Sequence, residues 1–555
     1  MGYAGGTAGC VVASRLSEDP NARVLLLERG PLVDGWAAHV PLLASNFTTK
    51  TAPVYRQRTV PQPGLGGRVV DMIGGKGLGG GTLVNAELYT RGVPGEYNAW
   101  AIAGRQGWGW EDVEPAFKKS QMWIPPKDTP AFMGSEGVNY DAAATFGVPV
   151  VADGNDPNGP VAWCSRLDST IAKDGKRNMI QDAFLPQKLV SERKGRLTIS
   201  VGALVHRVGF DKESDVIRAT SVEFGDDATA KGEGTAKYSV VATREIILCA
   251  GAIITPQLLL LSGIGPRADL EFHKIQVVRD MPGVGAHLQD HVSVPVQYHV
   301  PLEESIEGLQ AKPLFAVGQL LKYVFTREGI FGSQVQQAGI FLPSSALSED
   351  GTAIRKDVLE HAHRHTPRHV PDIEVMFLPV DSDPPTNQGT PKRGVFSYLC
   401  AAVQPRSVGS VRLASKDARD APVVDLGLLS DPEDVVVLRK AVRFALAFQA
   451  RLPVEGKGVV PMTPWSAPPG ERDREVDEWV RENAGTTYHY SSSARMAPEA
   501  EGGVVDDRLR VHGVANLRIA DASVFPTIPG AHLQAPVVMV AERCAEFVKA
   551  AAASS

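Results

Sequence analysis

The sequence lacks the charge imbalance and the long apolar runs that mark several classes of protein. Its 57 basic and 63 acidic residues leave a net charge of −6, so it has no excess of positive charge for binding nucleic acid or an anionic membrane surface. It contains no run of about 18 apolar residues, the length that a membrane-spanning helix needs. We therefore expect no nucleic-acid partner and no membrane span.

A secretory signal is also absent, because the first residues do not show a charged segment followed by an apolar one. We expect a cytoplasmic protein if this start is genuine. A secreted protein is expected instead if the N-terminus is truncated.

Metal-binding and disulfide patterns are lacking as well. The five cysteines are far apart and mostly within apolar runs, which predicts buried thiols rather than a disulfide framework or a metal centre. His361, His363 and His365 lie in a very polar segment without a carboxylate or cysteine at a supporting spacing. We predict that this segment is solvated surface and that the protein has no metal site. The cysteines are Cys10, Cys164, Cys249, Cys400 and Cys544.

Glycine (55) and proline (40) are plentiful and dispersed over the 555 residues. This composition is typical of a loop-rich α/β enzyme, and the length is too great for one small core, so two domains with interleaved segments are expected. Between residues 372 and 413, apolar and polar positions alternate, which favours antiparallel strands with one covered face.

The first motif is a glycine-rich turn at residues 4–9, followed by an apolar helix and a strand, Val24–Leu27. Glu28 ends that strand, at the spacing of about 20 residues that is typical of a dinucleotide-binding βαβ unit. In such a unit the glycines let the backbone approach a pyrophosphate, and the carboxylate accepts hydrogen bonds from ribose hydroxyls. The alternative is a βαβ turn with a purely structural role.

This motif departs from the dinucleotide pattern in two ways. Its first glycine position holds Ala4, and only Met1, Gly2 and Tyr3 come before it, so the first strand is apparently missing. A truncated chain or a wrongly assigned start would explain this. If the strand is truly absent, a position in the central sheet is empty, and we expect lower stability or weaker retention of the cofactor.

A second glycine-rich segment has six glycines in the eight positions 74–81. Glycine has no side chain to pack, so we expect this backbone to approach a flat or anionic ligand closely. Asn85 follows, at what we predict to be a helix start. A flexible linker is the alternative, but Leu78, Leu83 and Val84 are interleaved with the glycines and favour an ordered loop.

The last motif is a strand, a loop and a helix near the C-terminus. A buried strand is predicted at Leu517–Ala520, the loop contains Pro526 and Pro529 and presents His532, and Pro536 opens the helix. Polar groups at the carboxyl end of a strand are where α/β proteins place ligands. Taken alone, the segment is equally well interpreted as a core-packing terminal helix preceded by one loop histidine.

Two longer patterns, at residues 75–85 and 251–265, give the sequence a family resemblance. The first reads GKGLGGGTLVN and the second reads GAIITPQLLLLSGIG. Both resemble the signatures of the glucose-methanol-choline (GMC) oxidoreductases, which are FAD flavoproteins. The resemblance runs from the first glycine-rich turn to the last helix and is thin between roughly residues 300 and 400.

The resemblance implies an α/β fold in which a Rossmann-like FAD-binding domain is interleaved with a substrate domain. The substrate domain is built on an antiparallel sheet flanked by helices. By this likeness, residues 1–125, 196–295 and 485–555 form the FAD-binding domain, and its last part carries the catalytic histidines. Residues 126–195 form a cap or substrate segment, and residues 296–484 form the substrate-binding domain.

The same resemblance implies a set of residues that contact FAD. Val205 would meet the adenine end through its backbone, and Asp521 and Ala522 would meet the pyrophosphate and ribityl region in the same way. The helix after Pro536 would direct its positive end toward the flavin. The candidates are Gly5, Gly6, Thr7, Ala8, Glu28, Gly77, Gly79, Gly80, Thr82, Asn85, Ala86, Val205, Ala250, Gly251, Asp521, Ala522, His532 and Leu533.

His489 and His532 are the implied catalytic residues. The stretch Thr487–Met496 resembles the family segment that carries the catalytic histidine. His532 falls at the second catalytic position, where histidine is typical of fungal aryl-alcohol oxidase- and dehydrogenase-type members. A neutral imidazole suits the removal of a hydroxyl proton while hydride leaves the carbon for flavin N5. We expect His489 to be the general base and His532 its partner.

For five residues near these motifs, a structural role is either expected or one of two alternatives. Ser492, Ser493 and Ala497 stand where the family usually has other residues, which either reshapes the floor of the pocket or changes only a turn. His287 and His291 lie in a segment that resembles a family loop, and we predict that both are structural.

The expected activity is FAD-dependent oxidation of a CH–OH donor, a primary or aryl alcohol, by an oxidase or a dehydrogenase. The expected partners are a small-molecule alcohol and an electron acceptor, oxygen or a quinone. Two alternatives stay open. A lyase or cyclase of secondary metabolism would retain FAD as a structural group, and the departures at the N-terminus would suit a remnant that binds little cofactor.

Overall fold

The computed structural model describes residues 5–44, 52–122, 135–213, 216–227, 238–382, 391–452 and 462–554. Ala4 and the residues before it lie outside these ranges, so the apparently missing first strand stays a prediction. Within these ranges, every helix is too short or too polar to cross a membrane.

Helices and strands alternate along the chain. The α-helices are α1 (Thr7–Leu16), α2 (Pro41–Ala44), α3 (Pro94–Ile102), α4 (Trp110–Ser120), α5 (Ser135–Phe146), α6 (Ile180–Phe184), α7 (Gln187–Glu192), α8 (Gly251–Leu261), α9 (Arg267–Phe272), α10 (Glu307–Ala311), α11 (Pro313–Thr326), α12 (Lys356–Leu359), α13 (Pro432–Gln449), α14 (Asp473–Asn483) and α15 (Gln534–Ser554). The strands are β1 (Val24–Leu27), β2 (Val54–Arg58), β3 (Asp71–Gly75), β4 (Leu88–Tyr89), β5 (Trp163–Arg166), β6 (Asp168–Ser169), β7 (Leu197–Ser200), β8 (Ala203–Glu213), β9 (Val216–Asp226), β10 (Tyr238–Val241), β11 (Ile246–Leu248), β12 (Ile264–Gly265), β13 (Arg279–Asp280), β14 (Val292–Val300), β15 (Ala338–Leu342), β16 (Ile373–Leu378), β17 (Gly394–Ala402), β18 (Ser410–Arg412), β19 (Val423–Asp425), β20 (Thr463–Ser466), β21 (Gly485–Thr486), β22 (Val514–Ala515) and β23 (Leu517–Ile519).

Two pairs of short parallel strands lie in the first hydrophobic core. β1 pairs with β7, with Val24 opposite Leu197, and β11 pairs with β23, with Ile246 opposite Leu517. In the described ranges, no backbone hydrogen bond joins one pair to the other. Apolar strands of this kind are buried on both faces, and α1 and α15 pack against each other beside them.

The second core contains a seven-stranded sheet with the strand order β20-β14-β17-β16-β15-β5, in which β21 also pairs with β14. Its strands are antiparallel. α13 covers one face, where the ring of Phe448 stacks on that of Phe377 at 5.8 Å between centroids. The antiparallel sheet flanked by helices is therefore confirmed, and the domain boundaries drawn from the sequence stay a prediction.

The opposite face of this sheet carries a row of residues that bears on function. Directly opposed residues of antiparallel strands point to the same side, and one such row contains Phe341, Glu374, Ala401 and Ser293. By strand alternation, His291 points to the same side as Ser293. Glu374 is only 2% exposed, and a buried carboxylate requires a hydrogen-bonding partner.

Two minor predictions agree with the structure. The thiols of all five cysteines are free and buried. His361, His363 and His365 are exposed, as expected for a solvated segment.

Candidate active site

Two glycine-rich loops meet where the sequence predicts the cofactor. The N–H of Gly79 donates to the carbonyl of Gly5 at 2.6 Å, and a Cβ added to Gly80 would lie 2.7 Å from the Cα of Gly6. No side chain fits between backbones this close, which explains why both loops are rich in glycine. The result is a surface of bare backbone, open beside Gly251, where an added Cβ would meet nothing within 4 Å.

Helix α1 begins at this surface, with Thr7 as its first residue. Its N-cap is Gly6, which supplies no side-chain cap, and its first turn contains no acidic residue. The first turn of the helix thus has no capping side chain and no acidic residue of its own. A helix N-terminus of this kind favours an anion such as a pyrophosphate, which would lie against the N–H groups of Thr7 and Ala8.

Glu28 lies at the end of β1, directly against the first glycine loop. Its Oε1 accepts a hydrogen bond from the N–H of Gly30 at 2.7 Å, and its Oε2 would be 2.9 Å from a Cβ on Gly5. Burial raises the pKa of this carboxyl, and the N–H groups of Gly30 and Gly5 oppose the rise. A bare backbone surface, an uncapped helix N-terminus and a carboxylate beside them fit a dinucleotide such as FAD.

Asp521 ties the C-terminal loop to the start of α8. Its Oδ2 accepts from the N–H of Gly251 at 3.0 Å and from the hydroxyl of Thr255 at 2.6 Å, and its Oδ1 accepts from the N–H of Ser523 at 2.8 Å. The carboxylate is thus engaged within the protein. The contact of Asp521 and Ala522 with FAD through backbone groups stays a prediction.

The other candidate cofactor residues surround the same surface. The hydroxyl of Thr82 donates to the carbonyl of Gly79 at 2.8 Å and so shapes the second glycine loop. Asn85 donates through Nδ2 to Oε1 of Gln534 at 2.6 Å, which joins this loop to the first turn of α15. Gly77, Val205 and Leu533 are buried, Ala250 is half-buried and Ala86 is exposed.

The predicted helix start at Asn85 is wrong. The preceding residues form a short 3₁₀ turn, Gly80–Leu83. Gly79 and Gly80 have φ angles of +109° and +54°, and residues with positive φ do not start a right-handed α-helix. The glycines therefore shape a tight turn at this position, and the chain continues into β4.

Three imidazole rings lie close together, with His489 in contact with each of the other two. Nδ1 of His489 is 2.9 Å from Nδ1 of His291, and the two ring centroids are 5.0 Å apart at an angle of 85°. The ring of His532 lies on the other side of His489, at 5.1 Å and 87°. The structure thus brings together the two predicted catalytic histidines and adds a third.

His532 is held at both ends. Its backbone N–H donates to the hydroxyl oxygen of Thr90 at 2.8 Å, and its Nε2 is 3.0 Å from Oε1 of Glu374. The buried carboxylate of β16 therefore has its partner in this imidazole. The helix that follows begins at Gln534, two residues earlier than predicted, and Pro536 lies in its first turn, where its missing N–H leaves no bond unmade.

Burial keeps two of these histidines neutral. It lowers the pKa of His489 well below 6.5, and the neighbouring His291 and His532 add to the effect. It lowers the pKa of His291 to about 3, again with a contribution from His532. Asp290 shows the opposite shift, because burial raises its pKa to about 7. Its Oδ1 accepts the backbone N–H of His489 at 2.8 Å.

Comparison with known proteins places this arrangement in a family. Models of the N-terminal and C-terminal parts of the GMC oxidoreductases match residues 3–293 and 405–541, which together are more than half of the chain. The chain belongs to the GMC oxidoreductases. It is therefore an FAD-dependent oxidoreductase that acts on alcohols, as the resemblance implied.

Relatives of this GMC oxidoreductase match it along nearly its whole length. The dehydrogenase str4 of Strobilurus tenacellus is 31% identical over 99% of this chain and 93% of its own length. The mitochondrial choline dehydrogenase of Mus musculus is 33% identical over 98% of this chain and 88% of its own. Among solved structures, an FAD-dependent oxidoreductase from Chaetomium thermophilum aligns with a TM-score of 0.83 and 25% identity over 99% and 98% of the two chains.

Three residues of this GMC oxidoreductase site were missed in the sequence. His291 was interpreted as structural, but its ring contacts His489. Glu374 and Thr90, which hold His532, were not singled out. For Glu374 a signal existed, because it is a charged residue inside an apolar strand. For His291 and Thr90 there was none, because their roles depend on segments that are distant in the sequence.

The replaced residues after His489 bind to neighbouring segments through their backbone and side chains. Ser492 has a φ of +66°, its N–H donates to the carbonyl of Ala522, and the hydroxyl of Ser493 donates to the carbonyl of Ala252 at 2.5 Å. These contacts tie the segment to α8 and to the C-terminal loop. The buried methyl of Ala497 follows in the same segment.

We expect a Gly80→Ala substitution to weaken the retention of FAD by about tenfold, because a side chain at positive φ costs roughly 1–3 kcal/mol. The added Cβ would also meet the backbone of Gly6 and push the two loops apart. The ratio of flavin to protein absorbance after gel filtration measures the effect. Gly318→Ala, in the middle of α11 with open space around it, is the matched control and should retain FAD normally.

Proposed function

We propose that this enzyme oxidises a primary or aryl alcohol to the carbonyl compound, with His489 as the general base and His532 as its partner. The observation that supports the proposal is the contact between the rings of His489 and His532, whose centroids are 5.1 Å apart. Burial keeps His489 neutral, and Nε2 of His532 is hydrogen-bonded to Glu374. FAD, when bound, supplies N5 as the acceptor for the hydride that leaves the alcohol carbon.

The role of His489 follows from its protonation state. A base must be unprotonated to remove the hydroxyl proton, and the pKa of His489 is held well below 6.5 by burial. Its Nδ1 is engaged by His291, so Nε2 is the atom that receives the proton of the alcohol. The proton taken up at Nε2 leaves a cationic ring between two other imidazoles.

The role of His532 follows from its contact with Glu374. The carboxylate oxygen accepts a hydrogen from Nε2 of His532, which leaves the lone pair of Nδ1 to accept a hydrogen bond. Glu374 therefore fixes the ring of His532 beside that of His489, and the lone pair of Nδ1 is the place where His532 can hold a proton in transit.

Anaerobic reduction of the bound flavin by a panel of alcohols tests this function. We expect bleaching of the flavin absorbance with primary or aryl alcohols, and subsequent addition of oxygen or of a quinone identifies the electron acceptor. A flavin that stays oxidised with every alcohol would contradict the proposal. Turnover of a substrate without any change in flavin absorbance would favour a lyase or cyclase.

We expect the rate of flavin reduction to stay nearly constant as the pH falls from about 8 to about 6, because a lowered pKa keeps the base unprotonated to lower pH. The group concerned is His489, whose pKa lies well below 6.5. Burial raises the pKa of Asp290 to about 7, but its carboxylate accepts from the backbone N–H of His489 and from the hydroxyl of Thr486, and it has no hydrogen bond to the ring of His489. Stopped-flow measurements at saturating alcohol give the profile, and a steep loss of rate between about pH 7 and pH 6 would contradict this expectation.

A further inference from the structure

His291 lies directly before β14 and is in direct contact with His489, the proposed base. The two residues are 198 positions apart in the sequence. The ring is 1% exposed, so water does not compete for its nitrogens. Two neutral imidazoles that meet through Nδ1 atoms 2.9 Å apart share a single proton, since one nitrogen donates and the other accepts. The direction of this hydrogen bond decides which nitrogen of His489 carries a proton.

Only one direction leaves His489 able to act as a base toward an alcohol. If Nδ1 of His489 donates, its Nε2 keeps a lone pair that receives the hydroxyl proton. If Nδ1 of His291 donates instead, the proton of neutral His489 stays on Nε2 and blocks that atom. The protein therefore controls the activity of His489 by controlling the proton on His291.

The surroundings of His291 favour the productive direction. Nε2 of His291 is buried and makes no hydrogen bond of normal geometry, but the backbone carbonyl groups of Pro529 and Val403 face the ring and favour a proton on it. Because Nδ1 is occupied by His489, these carbonyl groups favour the proton on Nε2. Nδ1 of His291 then keeps its lone pair and accepts from His489.

Backbone hydrogen bonds also join the two segments that carry His291 and His489. The N–H of Thr487 donates to the carbonyl of His291 at 3.1 Å, and Gln289 and Ser491 exchange hydrogen bonds of 3.1 and 2.9 Å. The segment before β14 and the segment that carries His489 thus pair like two short strands. This pairing holds the backbone segments that carry the two rings side by side.

We propose that His291 is the positioning residue of this site: it accepts the hydrogen of Nδ1 of His489 and so sets the tautomer in which Nε2 of His489 is the base. This inference rests on the proposed alcohol oxidation. It extends that function, because the cationic His489 formed during the reaction donates a stronger, charge-assisted hydrogen bond to His291.

Three variants test the proposal in the FAD-loaded enzyme. His291→Leu removes the acceptor at similar volume, and we expect flavin reduction to slow by about 10²-fold, the usual effect of losing acid–base assistance. His291→Asn places an amide oxygen near the former Nδ1 position, and we expect most of the rate to return. His287→Asn, in the same segment but beside Gly502 rather than His489, is the control and should reduce at the normal rate.

Nitrogen NMR of the ¹⁵N-histidine-labelled holoenzyme tests the tautomer without any turnover. We expect His489, assigned by comparison with His489→Ala, to show a protonated Nδ1 and an unprotonated Nε2. In His291→Leu this preference should be lost, and in His291→Asn it should persist. A wild-type His489 protonated on Nε2 would overturn the inference, as would a normal reduction rate in His291→Leu. If no alcohol reduces the flavin but the tautomer is as expected, the proposed function fails and the structural role of His291 stands.

Discussion

Replacing His489 with alanine is expected to slow reduction of the flavin by an alcohol about 10²-fold or more. The substitution removes the imidazole that is the proposed base and whose Nδ1 contacts His291. It removes no group from the glycine loops or from the start of α1, so the enzyme should still bind FAD. Rapid mixing under anaerobic conditions, at several alcohol concentrations, separates the rate of reduction from the affinity for alcohol.

Two controls make the result specific. His361→Ala changes an exposed histidine and should leave the reduction rate unchanged. His532→Ala should also slow reduction by about 10²-fold, and it should lower the melting temperature in addition, because it leaves the buried carboxylate of Glu374 without its partner. A normal reduction rate in His489→Ala would refute the assignment of the base.

Replacing Arg177 with methionine is expected to lower the free energy of unfolding by about 3–5 kcal/mol, the usual cost of removing one partner of a buried ion pair. Arg177 and Glu87 have side chains only 1% exposed, and Nη1 is 2.7 Å from Oε1. Burial raises the pKa of Glu87 to about 7 although Arg177 opposes the shift. Without Arg177, the carboxylate of Glu87 would lose the positive charge that offsets the free-energy cost of its burial.

Arg177 also holds the second glycine loop. Its Nε donates to the carbonyl of Thr82 at 3.0 Å, and its Nη2 donates to the carbonyl of Asn85 at 2.6 Å. We therefore expect Arg177→Met to retain less FAD as well as to unfold earlier. Thermal and urea denaturation of the holoenzyme and of the cofactor-free protein measure the two effects separately.

A double variant distinguishes the ion pair from simple loss of packing. Replacing both charges, as Arg177→Met with Glu87→Gln, removes the unpaired carboxylate and should recover a large part of the lost stability, because replacing a whole buried pair is often nearly neutral. Equal stability of the single and double variants would show that the hydrogen bonds of Arg177 to the loop, and not its charge, account for the loss.

Local patterns were sufficient to predict much of the fold. The strands Val24–Leu27 and Leu517–Ile519 could be predicted because an apolar run bounded by polar or glycine residues has few alternatives over about four residues. The glycine loops could be predicted because only glycine permits two backbones to approach each other as closely as those of Gly6 and Gly80 do. The predicted helix start at Asn85 failed because the preceding glycines, Gly79 and Gly80, have positive φ angles and form a tight turn.

By itself, the sequence determined the two glycine-rich loops, because they depend on residue type and on short spacing. The cofactor class and the two histidines of the predicted pair followed from the resemblance of longer motifs to a family. The tertiary structure alone decided which other groups reach those histidines. Glu374 lies in β16 and His291 directly before β14, and the register of the antiparallel sheet carries both to one face. Contacts between residues 158 and 198 positions apart leave no local pattern in a single sequence, since only strand pairing and packing bring such residues together.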